Sequence, residues 1–589
     1  MTAGISGAAP RDGTFRRRAL PGARVLDTVL PVGALPLVLF FAAMLLAPIA
    51  LLVVYSFFEP GFFTVIEVLT VRNYRLILST ALYSTILLKT LGVSLVVACV
   101  IVVVGYAMAY TIVFQLGVWG PRVLVLVMAS LLSSYIVRLY ALTTILGTNG
   151  LINQALIAAG LIREPLGFLL YGYFAIIITL VYVYLPIAVL PMFASLQGID
   201  RRLVEASRDL GEAPLRTFVR VTLPLSMRGI RIAFAFSFIL ASADYVAPQM
   251  VGGLNGQMIG AVIADQFGGA SNYPLGAALA VSMVVGFAVV LGGLLLLEKL
   301  LRLALLHAPR RAPRGTPAPV RLPGLPITQA VTVLALLFLF SPLLTVIVFS
   351  FNGARNPGLP FQGVTLHWYG QLFRSADFGR VLSTSLLIGA CTVIGGLLVG
   401  VPAALALARR RFLLRRPLEL LALGPIAMPG VVIGVALLTS FVHVGIRLGV
   451  GTTIAAHILL VTPFIVLVVR TRLEKMDPRA EEAARDLGSS PRRAFRTVTL
   501  PILTPALLGA GILAAAISLD ELLVTNFTIG VHATVPVWIA SQMRAGLTPS
   551  LNAVAVLMLV GSLGLIGLAA LAARRGRSTR LLTTLAEAA

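Results

Sequence analysis

Runs of about 20 or more apolar residues, long enough to cross a lipid bilayer, recur along the chain with polar breaks between them. In the first half they lie near 32–57, 86–114, 121–147, 168–196, 229–250 and 275–303. In the second they lie near 327–351, 382–408, 417–443, 452–471, 503–526 and 550–573. Six and six predict an all-α membrane protein of about 12 transmembrane helices in two six-helix halves. The breaks divide it into a basic tail (1–30), a first half (31–303), a linker (304–325), a second half (326–574) and a short tail (575–589). The linker holds "HAPRRAPRGTPAPVRLPG", whose prolines and arginines suit an extended, solvated connector. "VRNYRLIL" and "LHWYGQLF" alternate like short amphipathic helices lying along a membrane surface.

One polar stretch occurs twice. "EASRDLGEAPLRTFVRVTLP" spans 205–224 and "EAARDLGSSPRRAFRTVTLP" spans 482–501, identical at 13 of 20 positions. In the second copy Pro478 precedes strong helix formers, and Gly488 supplies a C-terminal stop where the chain needs positive φ. Ser490 is the expected N-cap of a second helix with Pro491 in its first turn, and Pro501 is expected to close the segment before the next span. Gly211, Pro214 and Pro224 keep the same spacing, with Ala213 a poorer cap. Phe218 and Val221, or Phe495 and Val498, share a face at i, i+3. Arg216 and Arg220, or Arg493 and Arg496, lie elsewhere around the helix. The expected object is a bent helix pair with an apolar knob and a charged rim, the anatomy of a protein docking site. An amphipathic helix on anionic lipid would need no such Gly and Pro spacing.

Composition sharpens this picture. The 589 residues are 58% hydrophobic and 12% charged, against about 25% charged in soluble domains. The net charge of +24 does not indicate nucleic acid, because Arg and Lys sit in short blocks between apolar runs. With the N-tail, alternate loops and C-tail placed in the cytoplasm, most of the 46 Lys+Arg fall on that side, which predicts both termini and both repeats inside. The first apolar run is about twice the roughly 7–15 residues of a cleaved signal core, so a retained first helix is expected. Cys99 and Cys391 lie in apolar runs and suggest neither disulfide nor metal site. The five histidines form no ligand cluster. There is no G-x-x-x-x-G-K-[ST] phosphate loop, so no cofactor is expected in this chain.

The repeated motif resembles that of binding-protein-dependent ABC importer permeases: Glu-Ala-Ala, a Gly six residues after that Glu, and a hydrophobic-x-Leu-Pro ending. It is carried by Glu205, Ala206, Gly211, Val221, Leu223 and Pro224, and by Glu482, Ala483, Ala484, Gly488, Val498, Leu500 and Pro501. The first copy departs by Ser207 for the second Ala. The first half resembles one spermidine/putrescine permease through "NYRLIL", "SSYIVRLYALTTILGTNGLINQALIAAGLI" and "ADYVAPQMVGG". The second resembles its partner permease through "HWYGQLF", "AMPGVVIGVALL" and "ISLDELLVTNF". The resemblance implies a type I importer permease fold in a bacterial inner membrane and a non-enzymatic subunit. It also implies two separate ABC ATPase subunits docking on the bent helices, and an extracytoplasmic substrate-binding protein delivering a polyamine-like organic cation. Related permeases carry ferric iron, thiamine or phosphonates. A twelve-helix secondary transporter shares the two-half layout but needs no repeated docking motif.

Charged residues inside spans are functional candidates. Lys89 lies at an outer end and is expected to snorkel. Arg138 is expected either to snorkel or to pair with an acid. Asp244 and Asp520 each follow a motif's last proline by about 20 residues and are expected to face each other as twins across the halves, with Glu521 beside Asp520. Tyr245 is expected to line the path near them. A structural ion pair or a cap at a helix break is the alternative role for these acids.

Overall fold

The computed structural model describes residues 30–61, 64–131, 133–307, 324–354, 361–410, 412–477, 479–546, 548–565 and 567. The linker motif and both tails lie outside them, apart from the linker's edges. Among the described residues nine helices are long and apolar enough to cross a membrane, from Val32–Tyr55 to Pro491–Asp520. Two bent helix pairs and the shorter apolar helix Ser550–Leu565 supply the remaining three segments. Each of the twelve apolar runs therefore has its helical counterpart.

Two runs expected as plain spans are broken. Gly117–Ser130 and Tyr135–Ala158 meet at 87°, and Arg415–Ala427 and Gly430–His443 meet at 103°. In the second half the cause is local. Pro429 excludes Met428 from the helical region, and Met428 is extended with ψ 142°. In the first half no proline marks the break. Ser134 is extended there with ψ 140°, and its hydroxyl partner, Asp520, comes from the other half of the chain.

The fifth spans also start earlier than expected. Pro214–Ala243 and Pro491–Asp520 are continuous helices of 30 residues, so Pro224 and Pro501 do not close the motifs. A proline inside a helix removes one backbone donor. Here the ladder slips into single π turns at Phe218–Thr222 and Phe495–Thr499, just before each proline. Close packing then seats the first of these helices on Tyr173–Gln197: a Cβ on Gly229 would lie 2.4 Å from the Pro191 carbonyl oxygen.

The halves exchange their first spans. Leu37, Phe41 and Leu45 of the first span share a core with Ala403, Leu407, Leu418 and Val461 of the second half. Conversely, Leu339 and Val346 of Gly324–Ser350 are buried in a cluster with Val97, Ile101 and Tyr182 of the first half, and the Tyr182 hydroxyl donates to Leu339 O at 3.3 Å. The Gln115 Nε2 amide donates to Thr328 Oγ1 at 2.9 Å on that side.

Candidate functional site: two docking bends and the acid layer between the halves

Both copies of the repeated motif form the same bend. Helix Arg201–Asp209 is capped by Asp200, which accepts the Arg202 N–H at 3.0 Å. It ends at Gly211, φ 81°. The Gly211 N–H donates to Arg208 O at 2.9 Å and the Glu212 N–H to Ser207 O at 3.2 Å, the paired bonds of a Schellman stop. In the second copy, Arg479–Asp486 ends at Gly488, φ 86°, with equivalent bonds to Arg485 and Ala484 at 2.9 and 3.0 Å. Ser490 caps the next turn by accepting the Arg493 N–H at 3.4 Å, and Ala213 offers no such bond. Pro478 lies outside the described residues.

The apolar knob differs from the sequence expectation. Phe218 turns inward, its ring 5.9 Å from those of Tyr106 and Tyr110. Phe495 is half-buried beside Val32, Pro402 and Arg409 in a groove of about 470 Å³. The most exposed large apolar groups at the bends are Leu210 (85% exposed) and Leu487 (88%), ahead of Leu215 and Val219. Helical spacing does not single them out, although the Leu-Gly pair is identical in both copies. Around them Glu205, Ala206, Glu482, Ala483, Pro214, Pro491, Pro224 and Pro501 are exposed. Leu223 is half-buried, while Leu500 is 38% exposed. Arg220 pairs with Glu212 at 2.5 Å. Glu481 pairs with Arg409 and accepts the Thr499 hydroxyl at 2.9 Å. Burial opposes ionisation of Glu481, but the Thr499 hydroxyl and Arg409 guanidinium hold its carboxyl below the usual range.

Each fifth span ends at an acid. Asp244 and Glu521 are both extended C-caps, with ψ 125° and 117°. Each stands twenty residues after its motif's last proline (224 to 244, 501 to 521). The structural twin of Asp244 is therefore Glu521, not Asp520, which corresponds to Ala243. Both twins turn their carboxylates onto the chain just beyond: Asp244 Oδ1 accepts the Ala247 N–H at 2.9 Å, and Glu521 Oε1 the Val524 N–H at 2.7 Å.

The surroundings of the three acids differ. Asp244 is buried and accepts the Tyr135 and Tyr184 hydroxyls, each at 2.7 Å. Asp520 reaches across the halves, accepting the Ser134 hydroxyl in a short bond and the Tyr135 N–H at 2.9 Å. Glu521 is half-buried and, among the described residues, receives no side-chain hydroxyl. Tyr245, expected to line the path, is instead 1% exposed. Its hydroxyl donates to Leu523 O at 3.1 Å and its ring lies 5.4 Å from Phe527, which makes it part of the seam between halves. Arg138 neither snorkels nor ion-pairs among the described residues: it is buried and donates to Val183 O at 3.0 Å. Lys89 is exposed, over the Tyr173 ring at 5.7 Å. Ser134, Tyr135 and Tyr184 were not legible as site residues, because neutral hydroxyls in an apolar run carry no signal of their own.

Residues 94–303 and 396–578 each match the model of the binding-protein-dependent transport system inner membrane component family. The putrescine transport system permease protein PotI of Escherichia coli (strain K12) is 33% identical over 244 residues, 40% of this chain and 86% of PotI. The spermidine/putrescine transport system permease protein PotC of Haemophilus influenzae is 33% identical over 235 residues, 39% of this chain and 89% of PotC. PotB of Escherichia coli (strain K12), a permease protein of the spermidine/putrescine transport system, is 32% identical over 218 residues, 37% of this chain and 78% of PotB. The similarity is thus to permease components, which are membrane subunits and not enzymes. The chain belongs to the family of binding-protein-dependent transport system inner membrane components and carries two of its permease domains in one polypeptide.

Proposed function

We propose that the two halves enclose one translocation path of an ATP-driven importer, and that its cargo is a polyamine-like organic cation. Two separate ATPase subunits dock on the bends at 205–224 and 482–501, with Leu210 and Leu487 as their apolar contacts. A separate extracytoplasmic protein delivers the solute. The bends and both termini lie in the cytoplasm of a bacterial cell whose inner membrane holds the chain. The domain limits are those of the apolar pattern: halves at 31–303 and 326–574, joined by 304–325.

The observation that carries the cation reading is the acid layer. Moving a positive charge through a low-dielectric path is costly, and a carboxylate at about 4 Å supplies roughly 4 kcal/mol at an effective dielectric near 20. Asp244, Asp520 and Glu521 sit where the halves meet, and the named relatives are putrescine and spermidine permeases. Glu521 is the acid most open to a passing ammonium group, since no hydroxyl among the described residues engages it. Arg138 lies one helical turn beyond Tyr135 and limits the net negative charge of the layer. The test is the ligand of the partner binding protein. Thermal stabilisation by putrescine or spermidine is expected. Preference for ferric iron, thiamine or a phosphonate would overturn the cation reading and leave the importer reading standing.

A further inference from the structure

The two docking bends and the acid layer are parts of the same two helices. Pro214–Ala243 begins at the first bend and delivers Asp244; Pro491–Asp520 begins at the second and ends on Asp520. At about 1.5 Å per residue, each is a rod of roughly 45 Å. The rods converge on one residue of a third element. Tyr135 gives its backbone N–H to Asp520 at 2.9 Å and its hydroxyl to Asp244 at 2.7 Å.

Tyr135 also opens the helix Tyr135–Leu146, which begins at the 87° break. That helix has no side-chain cap of its own: Ser134, in the N-cap position, donates its hydroxyl to Asp520 instead. An acid from the other half therefore takes the capping role, where a carboxylate meets unpaired N–H groups and the positive end of the helix dipole. The device is one-sided. Ala243 stands where symmetry would place a second such acid, and the second break is made by Pro429 instead.

We propose that Tyr135 is a positioning residue that latches the two docking-bend helices together at the acid layer, with Asp520 as its anchor. This rests on the importer reading. Any movement of the two helices that parts Asp244 from Asp520 breaks this arrangement, because Tyr135 cannot then hold both. The latched arrangement closes the path and restrains the docked ATPases while no loaded binding protein is present. Asp520 acts here through its acceptor oxygens on Ser134 and Tyr135.

The test uses the full chain with its ATPases in proteoliposomes and reads ATP hydrolysis with and without loaded binding protein. Tyr135→Phe removes only the bond to Asp244. With that bond gone, unstimulated hydrolysis should rise roughly tenfold and the stimulation ratio should fall. Asp520→Ala should raise unstimulated hydrolysis too. Asp520→Asn, which keeps one acceptor for the Tyr135 N–H, should raise it less than Asp520→Ala. An unstimulated rate in Tyr135→Phe equal to the parent's overturns the latch, as does Asp520→Asn matching or exceeding Asp520→Ala. Absence of stimulation in the parent chain would instead overturn the importer reading beneath it.

Discussion

The hydroxyl of Tyr55, the last residue of the first span, lies 3.0 Å from Nδ1 of His443, at the end of the second half's broken span. These residues are 388 positions apart, and the bond marks the exchange of first spans between the halves. Each half buries the other's first span. A protease site placed in the 304–325 linker should therefore leave two fragments that stay together. Co-purification in mild detergent through a tag on one fragment is the expected result. Fragments that separate would show that the exchanged packing does not hold the halves.

The bends predict a loss of coupling without a loss of folding. Gly211 and Gly488 adopt φ near +80°, which proline, fixed near −65°, cannot. The double variant Gly211→Pro/Gly488→Pro should insert normally yet lose at least roughly tenfold in binding-protein-stimulated ATP hydrolysis, the loss of ~1.4 kcal/mol of docking energy. Leu210→Asp/Leu487→Asp should weaken capture of the ATPase subunits, measured by pull-down in detergent. Unaltered stimulation and capture in these variants would remove the docking role from the bends.

Much of this architecture is legible in the sequence, because bilayer crossing imposes a long apolar run on every span and a repeated Gly-Pro punctuation marks both bends. The missed features are those decided between distant parts of the chain. The break before Tyr135 has no local proline, and its N–H is satisfied by Asp520 from the other half. Helical spacing offers Phe218 as a docking knob, but spacing does not say which face the helix turns inward, and Tyr106 and Tyr110 claim it. Asp244 and Asp520 looked like twins by type. Register from the motif prolines pairs Asp244 with Glu521, a match of position over identity.

Orientation is open to labelling. In a variant lacking Cys99 and Cys391, Leu413→Cys lies in the loop between the second and third spans of the second half, and Val531→Cys in the turn before Val535–Ala545. Both parent residues are exposed, at 78% and 97%. A membrane-impermeant thiol reagent applied to intact cells should modify the cysteine at 531 and spare that at 413. The opposite pattern would invert the topology.

The acid layer predicts a charge-specific defect. Glu521→Gln and Asp244→Asn each remove one negative charge while keeping the shape of the side chain. Uptake of a polyamine should slow by roughly tenfold or more in each, since even a third of the ~4 kcal/mol attraction at 4 Å suffices for that. Binding-protein docking, read by co-sedimentation with the proteoliposomes, should be unchanged. Uptake at the parental rate in both variants would assign these acids to structure alone.

On the proposed function, this chain moves its cargo only as the membrane subunit of an ATP-driven importer. The most direct measurement is uptake of radiolabelled putrescine into proteoliposomes holding the purified chain, with the partner ATPase, the binding protein and ATP each omitted in turn. Accumulation is expected only when all three are present, with two ATPase subunits bound per chain. Accumulation driven by an ion gradient with no ATPase present would contradict it.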